Sequence, residues 1–305
     1  MRFGLVGTGF WARTVHAAAL SDAPDVELAG VWGRDSAKAA TLAAEVGAMA
    51  YDDVATLFDA VDAVAFAVPP DVQAGLAERA ARAGRHLLLE KPIATRPDDA
   101  DRLVGAVAGS GVSSVVFFTG RFLPELRAWI DEVRGERWHG AWAAWLGSAF
   151  ASDSPFRDSP WRWDKGGLWD VGPHALALLT ATLGPVRRVT ADHGTRDVVH
   201  LVLHHENAAT STVTVTLSAP PPASGSTLTL WGEPGRSTMP TPAGEAVDAY
   251  RTALAELVAG AQAGRADHPS GVRFGARVVH LLADAERQLD RASVADGDRD
   301  VWPDP

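Results

Sequence analysis

A chain of 305 residues, 47% apolar and 22% charged, is long enough for about two domains with full cores. Its formal charge of −10 and lack of a basic stripe disfavour nucleic acid as a partner, because phosphate contacts need clustered Lys and Arg. The absence of cysteine excludes disulfides, thiolate metal sites and a cysteine nucleophile. No apolar run approaches the roughly 18 residues that span a bilayer. The N-terminus enters an apolar strand without a charged-then-apolar leader, so the expected location is the cytoplasm. Only three lysines, Lys38, Lys91 and Lys165, stand against 25 arginines, which draws attention to each of them.

Phe3 to Val6 is a short apolar run that leads into Gly7-Thr8-Gly9-Phe10-Trp11-Ala12 and then a helical pattern from Trp11 to about Leu20. Strand, glycine turn and helix in that order make a dinucleotide-binding turn. Gly7 permits the sharp reversal, Gly9 lets a pyrophosphate approach the backbone, and Ala12 replaces the third glycine. The start of the helix offers amide donors and the positive end of its dipole to a diphosphate.

Val26 to Trp32 reads as a second buried strand. A carboxylate at its end would bond a ribose 2′-hydroxyl and select NAD. Here the run is Trp32-Gly33-Arg34-Asp35-Ser36, with Gly33 where the acid is expected and Arg34 after it. A small residue followed by Arg leaves room for, and pairs with, a 2′-phosphate; Lys38, one turn on, adds a second cation. NADP is the expected cofactor. The alternative is that Asp35 supplies the acid, Arg34 stacks on the adenine, and the cofactor is NAD.

Helices are expected over Ser36–Val46, over 54–60 capped by Asp52 or Asp53, over 71–83 with Gly84 as a stop, and over 97–108 with proline in the first turn. Apolar strands are expected over 62–68, ended by Pro69-Pro70, over His86–Leu89, and over Val112–Phe118. This alternation predicts a doubly wound parallel sheet over residues 1–120, with Gly7, Gly33, Val68 and Lys91 at the carboxyl ends of strands, where ligands bind. An amphipathic segment over 121–133 follows.

From about His139 the pattern changes. Segments 139–149, 187–193, 197–205, 210–218 and 226–232 alternate or are β-branched and follow one another through turns. Residues 121–305 therefore read as an α+β domain with a mostly antiparallel sheet. It includes a helix ending at Gly184, two later helices (about 244–262 and 272–292), and a polar tail from Ala295 expected on the surface.

Lys91 ends a buried strand between Glu90 and Pro92. Asp170 and His174 are four apart, so on a helix they share a face, although Gly172 and Pro173 between them weaken that inference. Taken alone, the pair reads as a structural hydrogen bond rather than a catalytic one. His200, His204, His205 and Glu206 sit on or after a strand without a third ligand by spacing, so no metal site is expected. Ser148, Ser152 and Ser154 lack a nucleophile elbow.

The run GTGFWA, Glu90-Lys91-Pro92, Trp161-Arg162 followed by Gly166-Gly167, and Asp170-Val171-Gly172-Pro173-His174 together resemble the Gfo/Idh/MocA family, over nearly the whole chain to Asp296-Gly297. The resemblance implies a Rossmann domain followed by an open-faced sheet, often packed on its copy in a homodimer or homotetramer. It implies an NAD(P)-dependent oxidoreductase of a sugar, polyol or related carbinol or carbonyl. Lys91, Asp170 and His174 would be catalytic. Cofactor contacts would come from Gly7, Gly9, Phe10, Trp11, Arg34, Lys38, Val68, Pro69, Glu90, Lys91 and Arg162. Substrate contacts would come from Lys91, Arg121, Trp161, Asp170 and His174, with Trp163 as a further wall.

The chain departs from the family at Val68-Pro69-Pro70-Asp71-Val72-Gln73, where a polar cofactor contact of the family is missing, and at Thr119-Gly120-Arg121, in the loop that shapes the family's substrate pocket, so no specific sugar is transferred. Two other classes stay open: a cofactor-sensing regulator without activity, and a glycoside hydrolase that uses a tightly held NAD.

Overall fold

The computed structural model describes residues 1–295. The expected polar tail and Asp296-Gly297 lie outside them. In chain order come β1 (Arg2–Val6), a π-helical turn (Ala12–Ala17) running into α1 (Ala18–Asp22), β2 (Glu27–Trp32), α2 (Ser36–Val46), β3 (Met49–Tyr51), α3 (Val54–Asp59) and β4 (Ala63–Phe66). Next are α4 (Pro70–Arg82), β5 (His86–Glu90), α5 (Pro97–Ser110), β6 (Ser114–Phe117), α6 (Pro124–Val133), β7 (Trp138–Leu146), α7 (Pro160–Asp170) and α8 (Gly172–Leu183). The chain continues with β8 (Val186–His193), β9 (Val199–His205), β10 (Thr210–Thr216), β11 (Gly225–Gly232), β12 (Gly235–Thr238), α9 (Ala246–Gln262) and α10 (Val272–Ala295).

Two compact units result, and neither is a continuous stretch. The first joins Met1–Arg127 to Pro242–Val279; the second joins Ala128–Thr241 to the chain from His280. The first unit holds a parallel sheet in the order β3-β2-β1-β4-β5-β6, the doubly wound arrangement expected. Its strands are covered on both faces. Leu5, Val6, Ala63 to Phe66 and Leu87 to Leu89 are fully buried, which is why they read as unbroken apolar runs. Each large aliphatic or aromatic side chain so buried contributes about 1.5–3 kcal/mol. Edge strand β3 was not expected. Its residues are exposed or half-buried, so they carry no apolar run to announce it.

Helix starts follow local chemistry. The Asp35 carboxylate accepts from Lys38 N (3.1 Å) at the start of α2, and that of Asp53 accepts from Thr56 N (3.0 Å) at the start of α3. Pro70 and Pro97 open α4 and α5. Helix α9 starts from a reciprocal capping box between Glu245 and Asp248 and packs in this same unit.

The second unit holds a sheet in the order β12-β11-β7-β10-β9-β8, antiparallel except where β10 runs parallel to β7. Period-two alternation puts Val199, Leu201, Leu203, Val213, Val215, Leu228 and Leu230 on the buried face, against which α7 and α8 pack. The opposite face is open, with Arg188, Thr190, Asp192, His200, Thr212, Thr227 and Trp142 exposed. Trp142 stacks on Trp231 (centroids 6.0 Å, 22° between planes) beneath the Arg236 guanidinium. The single helix expected before Gly184 is two, α7 and α8. Val171 (φ −102°, ψ −20°) separates them.

His205 lies wholly inside this unit. Its Nδ1 donates to the Gly184 carbonyl (2.8 Å), and its Nε2 accepts from the Ser211 hydroxyl (2.9 Å). Burial holds its pKa below the ordinary 6.5. A histidine buried neutral contributes stability above its unfolded pKa, and that contribution is lost as pH falls below it. The urea midpoint is therefore expected to fall between pH 7.5 and 5, with a shallower fall in His205→Gln.

Candidate functional site

The glycine turn joins the carboxyl ends of β1, β2 and β4. Gly7 has φ 131°, its N–H donates to the Trp32 carbonyl (2.9 Å), and Ala67 N donates to the Val6 carbonyl (2.8 Å). A Cβ at residue 7 would lie 2.3 Å from the Ala67 carbonyl oxygen, too close for any van der Waals contact. A Cβ at residue 9 would meet nothing within 4 Å. Gly7 therefore serves the fold, while Gly9 leaves open space beside the backbone. Helix begins at once, with Arg13 N donating to the Gly9 carbonyl (3.1 Å), and Ala12 is fully buried under it. Open space in front of a helix start, at the point where strand order reverses, fits the diphosphate of a dinucleotide.

At the end of β2, a side chain on Gly33 would run into Thr8, 2.7 Å from its Cγ2. Arg34 is exposed beside it. Asp35 is engaged as the cap of α2, and its carboxylate lies 3.6 Å from Lys38 Nζ. The Lys38 amide bond, foremost, holds the Asp35 carboxyl below its ordinary pKa.

At the end of β5, the Glu90 peptide is clamped from both sides by the fully buried Gln73. Gln73 Oε1 accepts from Glu90 N (2.8 Å), and its Nε2 donates to the carbonyls of Glu90 (2.8 Å) and Pro92 (3.3 Å). Gln73 thus has a structural task at a position where the sequence suggested a lost cofactor contact. The Glu90 carboxylate accepts from Trp11 Nε1 (2.7 Å) and His16 Nε2 (2.9 Å) on Oε1, and from Lys91 N (3.3 Å) on Oε2. His16 Nδ1 is 2.8 Å from the Tyr250 hydroxyl. The Lys91–Pro92 peptide is cis. The half-buried Lys91 follows the peptide that Gln73 holds, on the same edge of the sheet as the glycine turn.

In the second unit, Arg162 Nε donates to Asp170 Oδ2 (2.7 Å), and Arg162 Nη1 donates to the Ser159 hydroxyl (3.2 Å). The guanidinium lies over the rings of Phe156 (4.4 Å) and Trp161 (4.7 Å). Both members of this ion pair are largely buried. Gly166 (φ 61°, ψ −164°) kinks α7 and brings the Gly167 amide to the Asp197 carboxylate (3.2 Å). Asp197 also accepts from Leu217 N (2.6 Å), Ser218 N (3.2 Å) and Thr216 Oγ1 (2.5 Å). This anchors α7 to the end of β10. Asp170 ends α7 and the half-buried His174 lies in the first turn of α8, so the two stand on successive helices.

Of the other residues singled out in the sequence, Phe10 is 50% exposed, and Val68 and Pro69 are half-buried after β4. The Arg121 guanidinium lies 5.8 Å from the centre of the Phe274 ring. Trp163 is exposed and stacked on Phe150 (3.8 Å). His200 bonds Thr214 (3.0 Å). Among the described residues no three His, Cys, Asp or Glu group to hold a metal ion, and no helix is long and apolar enough to cross a membrane.

Sequence reasoning passed over His16, Tyr250 and Asp197. His16 had one signal, a polar side chain on the same helical face as Ala12, Val15 and Ala19.

Residues 1–118 match the family model described as oxidoreductase family, NAD-binding Rossmann fold, and residues 137–238 match the GFO/IDH/MocA C-terminal domain. A UDP-N-acetylglucosamine 3-dehydrogenase of Acidithiobacillus ferrooxidans is 39% identical over 34% of this chain and 33% of its own length. A D-xylose 1-dehydrogenase (NADP(+)) of Haloferax volcanii is 30% identical over 72% of this chain and 70% of its own length. The match thus spans a third of the first relative and over two thirds of the second. The structure of the WlbA dehydrogenase from Bordetella pertussis, with NADH and UDP-GlcNAcA, covers 100% of this chain and 99% of its own, with TM-score 0.80 and 24% identity.

Proposed function

The chain belongs to the Gfo/Idh/MocA oxidoreductase family, and from that premise we propose an NADP-dependent dehydrogenase or reductase of a sugar-like alcohol or carbonyl. The observation that carries the reading is the glycine turn, closed at Gly7 and open at Gly9, at the reversal of strand order. Gly7, Gly9 and the helix start would hold the diphosphate. Phe10, Trp11, Val68, Pro69 and Glu90 would line the cofactor's course.

When bound, the nicotinamide supplies the acceptor or donor of hydride. Lys91 holds the reacting oxygen and stabilises negative charge as it develops there. His174 takes the hydroxyl proton in oxidation and returns it in reduction, and Asp170 binds substrate and orients that imidazole. Arg162, paired with Asp170, fixes that carboxylate; Arg121 and Trp161 contribute to holding substrate.

For the preference between cofactors, Gly33 offers no carboxylate and no room for one, Asp35 is committed to capping α2, and Arg34 is exposed to pair with a 2′-phosphate. Titration with NADPH and with NADH, followed by tryptophan quenching, tests the reading. NADPH is expected to bind about tenfold tighter, a preference lost in Arg34→Ala. Equal or tighter NADH binding would return the ribose to Asp35. Binding of neither would bring the regulator reading forward.

The open face of the second sheet, with Trp142 49% exposed, is the proposed contact with a second copy of the chain. Light scattering is expected to find a dimer or tetramer, and Trp142→Asp to shift it to monomer. A monomeric wild type at micromolar concentration would end that proposal.

A further inference from the structure

Behind the Glu90–Lys91 corner the first unit buries a chain of polar groups that runs back from Trp11 and Glu90, on the cofactor's proposed course, to His16 and Tyr250, which the proposed chemistry does not use. Tyr250 comes from α9, His16 and Trp11 from the helix after the glycine turn, and Glu90 from β5. Tyr250 and His16 have no exposed surface, and the Glu90 side chain retains 13%.

The direction of the hydrogen bonds can be worked out along this chain. Glu90 receives three donors, Trp11 Nε1, His16 Nε2 and Lys91 N, the environment of a carboxylate. Nε2 of His16 therefore carries a proton. The Tyr250 hydroxyl has one hydrogen-bond partner among the described residues, Nδ1 of His16. Burial, reinforced by the charge of Glu90, raises the pKa of that phenol well above 10, so its proton stays on. If Nδ1 were also protonated, two donors would face each other and the buried O–H would go without an acceptor, which costs about 1–3 kcal/mol. The phenol donates to Nδ1, and the imidazole is neutral.

The π-helical turn explains how two side chains reach one oxygen. Trp11 and His16 are five residues apart, which in an α-helix sets them about 140° apart. The i to i+5 winding of residues Ala12–Ala17 brings them back to one side. Both then bond Glu90 Oε1. The result is a carboxylate that is well bonded yet not neutralised by a cation in this chain of bonds.

We propose that His16, held as the neutral Nε2–H tautomer by Tyr250, is a positioning residue that maintains a full negative charge on Glu90, and that this charge favours the oxidised, cationic nicotinamide over the reduced, neutral one. The second half of this inference rests on the cofactor reading above; the first half does not.

Two measurements test it. The first is ¹⁵N-edited NMR of the histidine rings in the unliganded wild type, with His16 assigned through its contact with the Tyr250 ring (centroids 4.3 Å). The Nε2–H tautomer with bare Nδ1 is expected from pH 6 to 8; a proton on Nδ1 would overturn the proposal. The second is tryptophan quenching with NADP⁺ and NADPH. In Glu90→Gln the ratio of Kd for NADP⁺ to Kd for NADPH is expected to rise about tenfold. Tyr250→Phe leaves Nδ1 able to accept a proton and is expected to move the ratio the same way by a smaller factor. A merely structural role would weaken both ligands alike, so an unchanged ratio in Glu90→Gln sinks the charge argument. A wild type that binds neither nucleotide defeats the cofactor reading and, with it, this second half, while the NMR result still decides the first.

Discussion

Replacing Lys91 by alanine is expected to lower turnover about a thousandfold or more, while NADPH binding stays within about tenfold of wild type. The reason lies in how the residue is held. Its strand is fully buried from Leu87 to Leu89, its own amide donates to Glu90, and the Gln73 side chain secures the peptide before it from both sides. None of these contacts involves the lysine side chain. The substitution therefore removes the ammonium and leaves the corner standing. Loss of one preorganised charge facing a developing alkoxide, the role proposed for Lys91, has an effect of that order. Arginine is not expected to rescue: its planar fork presents charge over a wider area than the compact ammonium. Lys91→Ala turning over at the wild-type rate would remove the lysine from the mechanism.

The second large effect separates two glycines that look alike in the sequence. Gly7→Ala is expected to lose about 3 kcal/mol of folding stability, because residue 7 has a backbone conformation disfavoured for L side chains and its Cβ would press on the Ala67 carbonyl. The thermal midpoint should fall by several degrees, and cofactor binding should fall with the population of folded protein. Gly9→Ala is expected to keep the wild-type midpoint, since its methyl group enters open space. That same space is where the diphosphate would lie, so NADPH affinity should drop about a hundredfold. If Gly9→Ala bound NADPH normally, the diphosphate would have to be elsewhere, and the cofactor reading would fail with it.

How much of this could be read from the chain depended on the range over which each cause acts. The parallel strands were legible because burial on both faces leaves continuous apolar runs, as in Ala63–Phe66. The cap of α3 was legible because Asp53 acts within three residues, whereas Asp35, read in the sequence only as a candidate for the ribose, proves to cap α2. Gly184 was legible as the end of α8. Edge strand β3 was not, for its three residues are held by β2 rather than by their own pattern. The break at Val171 was foreshadowed by Gly172 and Pro173, yet the split into two helices also depends on Gly166 and on Asp197, which is 30 residues from the amide it accepts. The glycine turn and the Glu90–Lys91 corner could be named as site candidates from local spacing. Their support could not. Gln73 reads as an ordinary polar residue on a helix, and nothing near Tyr250 announces a partner at the other end of the sequence. Likewise, nothing in the composition of residues 242–279 marks them as part of the first unit.

That long return has a consequence during synthesis. The ribosome delivers the chain from its N-terminus, so all six strands of the parallel sheet emerge before the last element they need. His16 waits for Tyr250, 234 residues later. Until α9 arrives, the buried surface that it covers on β5, β6 and the first helix stays exposed. Contacts of such separation slow folding, and an exposed apolar face in the interval favours association with other nascent chains. A chain stopped at residue 241 would contain the whole glycine turn and the whole sheet and still be expected to aggregate, whereas single substitutions on the surface of α9 should be tolerated. The nucleotide site would therefore be completed among the last parts of the molecule, although its residues are among the first to be made.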